Sequence, residues 1–503
     1  MEILGQAFPQ IPLSASIDVA PEIREYERTS TTVATAALRP VVGAYVSKLE
    51  EGAGEIGLPK RWQIMQSSGA VTMAETVESE PARILLSGPA GGVEGARAIG
   101  EVLGETNLIT MDMGGTSCDV AMIQDGRIGW STGGGVGGHP VALPMVEIHT
   151  IGAGGGSIAW VDAGGALRVG PQSAGAVPGP ACYGRGGDRP TVTDAHLAIG
   201  HFAADRPLGP LPGLDRERAV AAVESVAKPL GMSTERAALG ILEVSDAAME
   251  RAIRVISVER GHDPRDFALL AFGGAGPLHA VSVARRLSIP RVIIPSTAGV
   301  LSAFGLLTAE AGHDESRSLV RPLGSISEGE LVERIAELRQ AGAAKMRSEG
   351  LGESAIRYRA SADLRYVGQS HELNIGLLDG PTAGQACLVR LAEDFHREHE
   401  VRFGHAAPDE EIELITVRVR VYAPAAPIDF AARSEGNEGE WTADAWFTSE
   451  GPARTRCIPR DALRTNETIV GPAILFGSES TILIPDECEG RQDRHGILVV
   501  EVG

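Results

Sequence analysis

One short segment, Asp112 to Asp119 (DMGGTSCD), constrains the fold of this chain more than any other. The apolar stretch Leu108–Met111 leads into Asp112, two glycines follow, and a second apolar stretch runs from Cys118 to Ile123. Asp125-Gly126 comes next and is a strong hairpin signal. Short strands joined by tight turns predict an antiparallel meander. The chain therefore carries a carboxylate to a glycine turn between two neighbouring strands.

The same turn has the chemistry of a phosphate site. Gly114 and Gly115 leave backbone N–H groups free to approach phosphate oxygens, and Thr116 and Ser117 add hydroxyl donors. Asp112 is a candidate ligand of Mg²⁺, or of another divalent metal, because Mg²⁺ takes one or two carboxylates plus water and phosphate. The alternative is a glycine-rich hairpin with a capping aspartate.

A second glycine turn follows the apolar stretch Phe267–Phe272. Gly273, Gly274 and Gly276 lie in it, and Pro277 suits the first turn of a helix that should run to about Leu287. Such a turn lets a nucleotide lie against the backbone at a helix N-terminus, although many α/β proteins have one for packing alone. It lacks the Lys and Ser/Thr of a P-loop and the spacing of a dinucleotide fold.

The remaining chain shows several periodic segments. A helix is predicted over Thr234–Arg260, where Asp246 interrupts an otherwise apolar face. Near the N-terminus, Ser30, Thr31 and Thr32 predict the start of a helix over about 33–50. Further predictions are a strand at Trp62–Gln66, a strand at Ile84–Leu86 before a helix ending near 103, a boundary near 310–325, a helix over 327–349, alternation over Ile412–Tyr422, and short strands at 473–476, 481–484 and 497–502.

Residues 133–190 are rich in glycine and proline, which predicts ordered loops around a site or, alternatively, plain structural loops. Three polar residues lie beside these loops in the sequence: His149, Asp194 and His196. They are candidates for acid/base or metal-binding groups, or alternatively for residues that anchor the loops by hydrogen bonds. Cys182 reads as a packed loop residue. His396 and His399, with His405 beyond, share a helix face and favour a solvated or hydrogen-bonded helix over a metal site.

Bulk composition bounds the class of protein. A chain of 503 residues predicts two to four domains. The formal charge of −21 disfavours nucleic acid and anionic membranes as partners. The five cysteines (118, 182, 387, 457 and 488) are scattered, which argues against a disulfide framework. No apolar run reaches the ~18 residues of a membrane span, and residues 1–4 lack a signal-peptide pattern. A cytoplasmic protein is predicted.

Several long motifs give a family resemblance. The chain resembles hydantoinase A and 5-oxoprolinase, a group that includes ketone-carboxylase subunits, in these stretches: Glu22–Pro40, SGPAGGV at 87–93, DMGGTSCD at 112–119, TIGAGGGS at 150–157, GPQSAGAVPGPACYGRGG at 170–187, TVTDA at 191–195, FGGAGPLH at 272–279 and RYVGQSHEL at 365–373. The resemblance implies an α/β protein with an actin-like ATPase (ribonuclease H-like) core and a β-rich C-terminal domain. It divides the chain into 1–50, a remnant of the family's N-terminal domain, 51–312, the ATPase domain, and 313–503, an α+β domain.

The resemblance also implies an activity. ATP and Mg²⁺ would serve the hydrolysis of a cyclic amide, a hydantoin or 5-oxoproline, through phosphorylation of its carbonyl, with Asp112, Asp194 and His149 as catalytic groups and a hydantoinase B-type subunit as partner. The alternatives are an ATP-dependent ketone carboxylase subunit and an inactive scaffold. Family members begin with a first phosphate loop that is not found before Asp112, so we expect weak nucleotide binding and negligible ATP hydrolysis by this chain alone.

Overall fold

The computed structural model describes residues 2–59, 61–206, 213–377, 388–426, 428 and 439–503. Cys387 lies outside the described residues. The other cysteines (118, 182, 457 and 488) are buried and free. Among the described helices, none is long and apolar enough to cross a membrane.

The helices occupy both halves of the chain. They are α1 (Glu2–Ala7), α2 (Ser16–Val19), α3 (Glu25–Glu55), α4 (Ala74–Ser79), α5 (Ser87–Leu103), α6 (Val192–Ala198), α7 (Arg216–Leu230), α8 (Thr234–Ile256), α9 (Gly276–Leu287), α10 (Leu301–Thr308), α11 (Glu328–Ser348) and α12 (Leu388–Phe403). The strong periodicity around Asp246 correctly predicts α8, which ends at Ile256 and is followed by a 3₁₀ turn at Val258–Arg260.

The strands are mostly short. They are β1 (Gln63–Met65), β2 (Val71–Met73), β3 (Leu108–Met113), β4 (Cys118–Gln124), β5 (Arg127–Ile128), β6 (Trp130–Ser131), β7 (Gly134–Val136), β8 (His139–Val141), β9 (Met145–Val146), β10 (Ile148–Ile151), β11 (Ser157–Val161), β12 (Leu167–Ser173), β13 (Ala268–Phe272), β14 (Arg291–Ile294), β15 (Ala311–Pro322), β16 (Arg357–Tyr366), β17 (Leu373–Gly376), β18 (Ile412–Ala423), β19 (Trp441–Thr448), β20 (Gly451–Pro459), β21 (Thr468–Val470), β22 (Ala473–Phe476), β23 (Thr481–Ile484), β24 (Glu489–Gln492) and β25 (Leu498–Glu501).

The chain divides into two compact units, each assembled from separate segments. Unit 1 comprises residues 1–94, 130–147 and 306–427. Its main sheet has the order β1-β2-β15-β18-β16-β17. The long central strands pair antiparallel over most of their length, and α11 packs on them. The core of this unit includes Leu331, Phe395 and Val417, which are fully buried.

An ion-pair cluster is buried in unit 1. The Arg418 guanidinium, 5% exposed, donates to Glu22 Oε1 at 2.5 Å and Oε2 at 2.8 Å and to Asp363 Oδ2 at 2.7 Å. Two carboxylates thus share one cation, and this pairing fastens the segment before α3 to the central strand β18.

Unit 2 comprises residues 95–129, 148–305 and 428–503. Its main sheet has the order β10-β4-β3-β13-β14-β25-β24-β21, with β5 paired to β4. The first five strands follow the order 3-2-1-4-5 along the chain, with β4 antiparallel to β3 and β13 parallel to it. This is the strand order of the ribonuclease H-like core, so the fold is the predicted α/β class. The C-terminal region is β-rich, as predicted, but its strands are shared between the two units.

The predicted start of the first long helix is wrong. Helix α3 begins at Glu25 rather than near residue 33 and continues through Pro40 to Glu55. The Thr31 and Thr32 hydroxyls donate to the carbonyls of Glu27 and Arg28 at 2.7 Å, four residues earlier, instead of capping a helix. Back-bonding of this kind is open to Thr inside a helix, and it explains the error.

The predicted strand at Ile84–Leu86 is also wrong. Residues Pro81–Ile84 form a 3₁₀ turn, Leu86 has a left-handed φ of 62°, and α5 begins at Ser87. The backbone N–H of Ser67 donates to the Arg83 carbonyl at 2.6 Å and holds the turn in place. An apolar triplet alone therefore did not distinguish a strand from a turn.

Candidate functional site

Two glycine turns meet at one edge of the unit 2 sheet. Strand β3 delivers Asp112 to the turn Gly114–Ser117, and β13, parallel to β3, ends at Phe272 directly opposite Asp112. The Ala275 N–H donates to the Met113 carbonyl at 2.9 Å and joins the two turns. The sequence segments that predicted phosphate and nucleotide binding, 160 residues apart, are therefore neighbours in the structure.

Gly273 fits its place because it has no side chain. Its φ is 77°, and a Cβ atom there would lie 2.5 Å from Asp112 Oδ1. Gly114 and Gly115 are the opposite case, since a Cβ atom at either would meet nothing within 4 Å. The space beside the turn Gly114–Ser117, called the phosphate turn for its predicted role, is open, while the space between the two glycine turns is filled by protein.

A third glycine segment, Gly152–Gly156, packs against the phosphate turn. The N–H groups of Gly155 and Gly156 donate to the carbonyls of Gly114 and Gly115 at 3.0 and 2.7 Å. A Cβ atom at Gly154 would lie 2.5 Å from the Gly115 carbonyl carbon. The approach requires glycine, so this loop is ordered against the turn. Residues 133–190 are not all loops as predicted, because they include strands β7–β12.

Two carboxylates face each other at the turn. Asp112 pairs with Asp119 across the antiparallel β3–β4 register, which puts both side chains on one face of the sheet. Burial raises the pKa of Asp112 from 3.8 to about 6, and the nearby charge of Asp119 contributes to this rise. A hydrogen bond from Ser302 acts in the opposite direction and lowers the pKa. Burial also raises the pKa of Asp119, although Thr150 donates to it at 2.5 Å. The site therefore carries uncompensated negative charge.

This pair fits a hydrated divalent cation. The described residues offer no group of three or more His, Cys, Asp or Glu side chains placed to hold a metal. Mg²⁺ needs fewer, because water and substrate phosphate complete its shell. Asp119 and Ser302 were not selected from the sequence. The sequence signal for Asp119 was its place in the quoted motif on the strand that follows the turn, and the structure places it opposite Asp112.

Asp194 lies at the start of α6 and is fully buried. Its carboxylate accepts hydrogen bonds from the N–H groups of Ala181, Cys182 and Thr191 and from the Thr191 hydroxyl, at 2.7–3.2 Å. These donors occupy both oxygens and fix the 181–182 loop to the helix. They match the loop-anchoring alternative, while a catalytic role for Asp194 stays a prediction.

The other selected residues have distinct surroundings. His149 is half-buried on β10, opposite Val120. His196 is buried, and its Nε2 lies 3.2 Å from His279 Nε2. Burial raises the pKa of the Cys182 thiol, which keeps it neutral and fits a packed loop residue.

The histidines of α12 form hydrogen bonds rather than a metal cluster. His396 Nδ1 lies 2.7 Å from the Tyr366 hydroxyl, and His399 Nδ1 lies 2.7 Å from the His405 carbonyl oxygen.

Unit 1 also has a cavity of about 490 Å³ that brings together residues of two quoted motifs, among them Glu22 and Arg24 with Ser370, His371 and Glu372.

Comparison with known proteins gives concordant matches. The sequence model of the hydantoinase/oxoprolinase family matches residues 28–315. The caprolactamase alpha subunit of Pseudomonas jessenii is 34% identical over 96% of this chain and 71% of its own length. The crystal structure of ATP-dependent caprolactamase from that organism superposes with a TM-score of 0.85 at 33% identity, over all of this chain and 74% of that one.

Two further relatives differ in activity. 5-Oxoprolinase 1 of Arabidopsis thaliana is 30% identical over 99% of this chain and 40% of its own length. The nucleotide-free structure of acetone carboxylase superposes with a TM-score of 0.77 at 26% identity, over all of this chain and 73% of that one.

Proposed function

The chain belongs to the hydantoinase/oxoprolinase family, and from that premise we propose that it takes part in the ATP-dependent hydrolysis of a cyclic amide. A lactam or hydantoin carbonyl is resonance-stabilised and resists water. Transfer of the γ-phosphoryl group to the carbonyl oxygen makes the ring carbon electrophilic, which gives ATP a chemical purpose. The ATP-dependent caprolactamase and the 5-oxoprolinase among the relatives support this reaction class.

The observation that carries the proposal is the meeting of the two glycine turns beside Asp112. The Gly114 N–H donates to the Ser117 carbonyl at 3.1 Å and closes the turn. The N–H groups of Gly115–Ser117 would bind the transferred phosphate, and Gly273–Gly276 would lie against the rest of the nucleotide. In phosphoryl transfer, positioning and electrostatics supply most of the catalysis. The hydrogen bond from the Ala275 N–H to the Met113 carbonyl, 2.9 Å from N to O, joins the two turns and supports a defined position for the nucleotide between them.

The carboxylates give the site its charge. Asp112 and Asp119 would hold Mg²⁺, which would neutralise charge on the transferred phosphoryl group. His149 and Asp194 remain proposed acid/base groups, and the loops 152–156 and 179–187 would shape the acceptor site. A hydantoin or 5-oxoproline is the proposed substrate, and a hydantoinase B-type subunit the proposed partner; the subunit names of the relatives support a multi-subunit assembly.

A ketone carboxylase is the second candidate, and the likeness to acetone carboxylase favours it. The same phosphate turn would then activate a ketone enol and bicarbonate. An inactive scaffold remains the third.

One set of activity assays distinguishes the three candidate functions. The chain, assembled with a hydantoinase B-type subunit, is incubated with Mg-ATP and hydantoin, 5-oxoproline or a lactam, and ring-opened product and ADP are measured. Parallel reactions contain acetone or an aryl ketone with labelled bicarbonate. Substrate-dependent ring opening supports the proposal, label fixation supports the carboxylase, and no turnover in either supports the scaffold. Asp112→Asn should abolish turnover, while Asp409→Asn, at an exposed position, should not.

A further inference from the structure

A chain of buried side chains links four elements of unit 2. Asp246 on α8 lies 2.6 Å from His279 Nδ1 on α9, and His279 Nε2 lies 3.2 Å from His196 Nε2 on α6. His196 Nδ1 lies 2.8 Å from His201 Nδ1, and His201 Nε2 lies 2.9 Å from the Trp446 carbonyl oxygen on β19. The three imidazoles are 1–3% exposed. Every ring nitrogen therefore faces a protein partner.

Both ends of this histidine chain are acceptors. The Asp246 carboxylate and the Trp446 carbonyl have no proton to give. The four consecutive contacts each need one proton, whereas three neutral imidazoles bring three. If His201 donates to Trp446, then His196 must donate to His201 and His279 must donate to His196, which leaves a bare nitrogen against the carboxylate. The geometry is satisfied only when the histidine chain holds one further proton.

The surroundings locate this extra proton at one end. Burial, together with His279 and His201, lowers the pKa of His196 well below its usual value, and burial lowers that of His201 to about 4. Both rings are then neutral, and the fourth proton lies between His279 and Asp246. Ser282 also donates to Asp246, at 2.5 Å.

Several other charged groups on or beside these elements have partners of their own. They include Asp194 with its loop donors, the pair Glu250–Arg286 between α8 and α9, Arg216 with the Ala198 carbonyl, and the pair Asp444–Arg454 on β19 and β20. The proton is thus counterbalanced by the Asp246 carboxylate rather than by these groups.

We propose that Asp246 is a positioning residue for the nucleotide site and that, with His279, His196 and His201, it forms a buried site for one proton. His279 is the fourth residue of α9, which starts at Gly276. Holding His279 to α6 and α8 fixes the first turn of α9, and with it the glycine turn Gly273–Gly276. This assignment rests on the proposed nucleotide role of that turn, whereas the proton count does not.

The variant Asp246→Asn tests the number of protons in the histidine chain with little change in side-chain shape. An asparagine amide can donate N–H to His279 Nδ1 and accept from Ser282, so three neutral imidazoles then satisfy all contacts. Between pH 7 and 9 the native wild-type chain holds one proton more than the unfolded chain, so its unfolding equilibrium constant should rise tenfold per pH unit, about 1.4 kcal/mol. Relative to wild type, Asp246→Asn should lose that slope.

Two further variants make the result specific. His201→Phe removes the Trp446 end, after which two neutral imidazoles suffice, so the slope should again be lost. Ser282→Ala removes a contact to Asp246 without altering the count and should keep it. Urea unfolding at several pH values measures the slopes, and ¹⁵N NMR of labelled histidine in wild-type protein should detect one protonated imidazole or its shared proton at pH 8. A wild-type slope retained in Asp246→Asn overturns the proton site.

The positioning role has its own readout in the assembled protein. Affinity for a fluorescent ATP analogue should fall several-fold in wild type only above pH 9, where the folded chain releases this proton, and should be independent of pH over the same range in Asp246→Asn. Equal affinity and pH dependence in both proteins overturn the positioning role. If the assembly does not bind the analogue but the unfolding slope is present, the proposed function fails while the proton site stands.

Discussion

The charge at the phosphate turn should make the chain less stable than it could be. Burial of the Asp112 carboxyl raises its pKa from 3.8 to about 6, so ionisation of this group at neutral pH opposes folding. The sign follows from linkage: between these two values the folded chain binds more protons than the unfolded chain, and stability falls as pH rises. At about 1.4 kcal/mol per pH unit, the cost is about 3 kcal/mol at pH 8 and roughly half of that at pH 5.

Asp112→Asn keeps the shape and removes the charge. The variant should therefore be more stable than wild type, by an amount that nearly doubles between pH 5 and pH 8. Urea unfolding of both proteins at these pH values measures the difference, with the exposed Asp409→Asn as control. Added Mg-ATP should narrow the gap, because wild type alone keeps the carboxylate for the metal. A variant less stable than wild type, or a difference independent of pH, would refute the reasoning.

Three further outcomes are expected. Gly273→Ala should lower the free energy of unfolding by about 1–3 kcal/mol, because the φ of Gly273 is 77° and an added Cβ would approach Asp112. Gly115→Ala should leave stability nearly unchanged, since its Cβ would meet nothing within 4 Å, but should weaken ATP binding. Calorimetry of unfolding and of ATP binding distinguishes the two variants. Because the pKa of His201 is lowered to about 4, wild-type stability should fall as pH drops from roughly 6.5 to 4, and His201→Phe should reduce that fall in acid unfolding. Arg418→Met should cost about 3–5 kcal/mol in urea unfolding, since Glu22 and Asp363 stay buried without their cation; an unchanged midpoint would contradict this.

The two glycine turns were predictable from the sequence because each is local. Strand β3, its glycine turn and β4 lie within one short stretch, as do β13, the second turn and α9. Their meeting was not visible from spacing, and it came only through the family resemblance. Asp119 shows the limit: the sequence places it beside Asp112 in one motif, but the antiparallel register decides that the two carboxylates face each other.

Most of the features that the sequence did not predict depend on contacts between residues far apart in the chain. Asp246 was visible as an interruption of an apolar helix face, yet its partner His279 lies 33 residues away on another helix. Thr31 and Thr32 could cap a helix or bond back to it, and local sequence does not choose. The Ala142 N–H also donates to the Thr31 hydroxyl at 2.8 Å, a contact between residues 111 positions apart.

The strand order of the unit 2 sheet has a consequence for biosynthesis. Strand β25 lies between β14 and β24, so residues Leu498–Glu501 complete a sheet whose phosphate turn is made far earlier on the ribosome. Until they emerge, β14 presents an unpaired edge with Val292, Ile293 and Ile294, all buried in the finished protein. Exposed strand edges of this kind invite mispairing. During synthesis this chain should therefore depend on chaperones longer than a protein whose sheets close in sequence order.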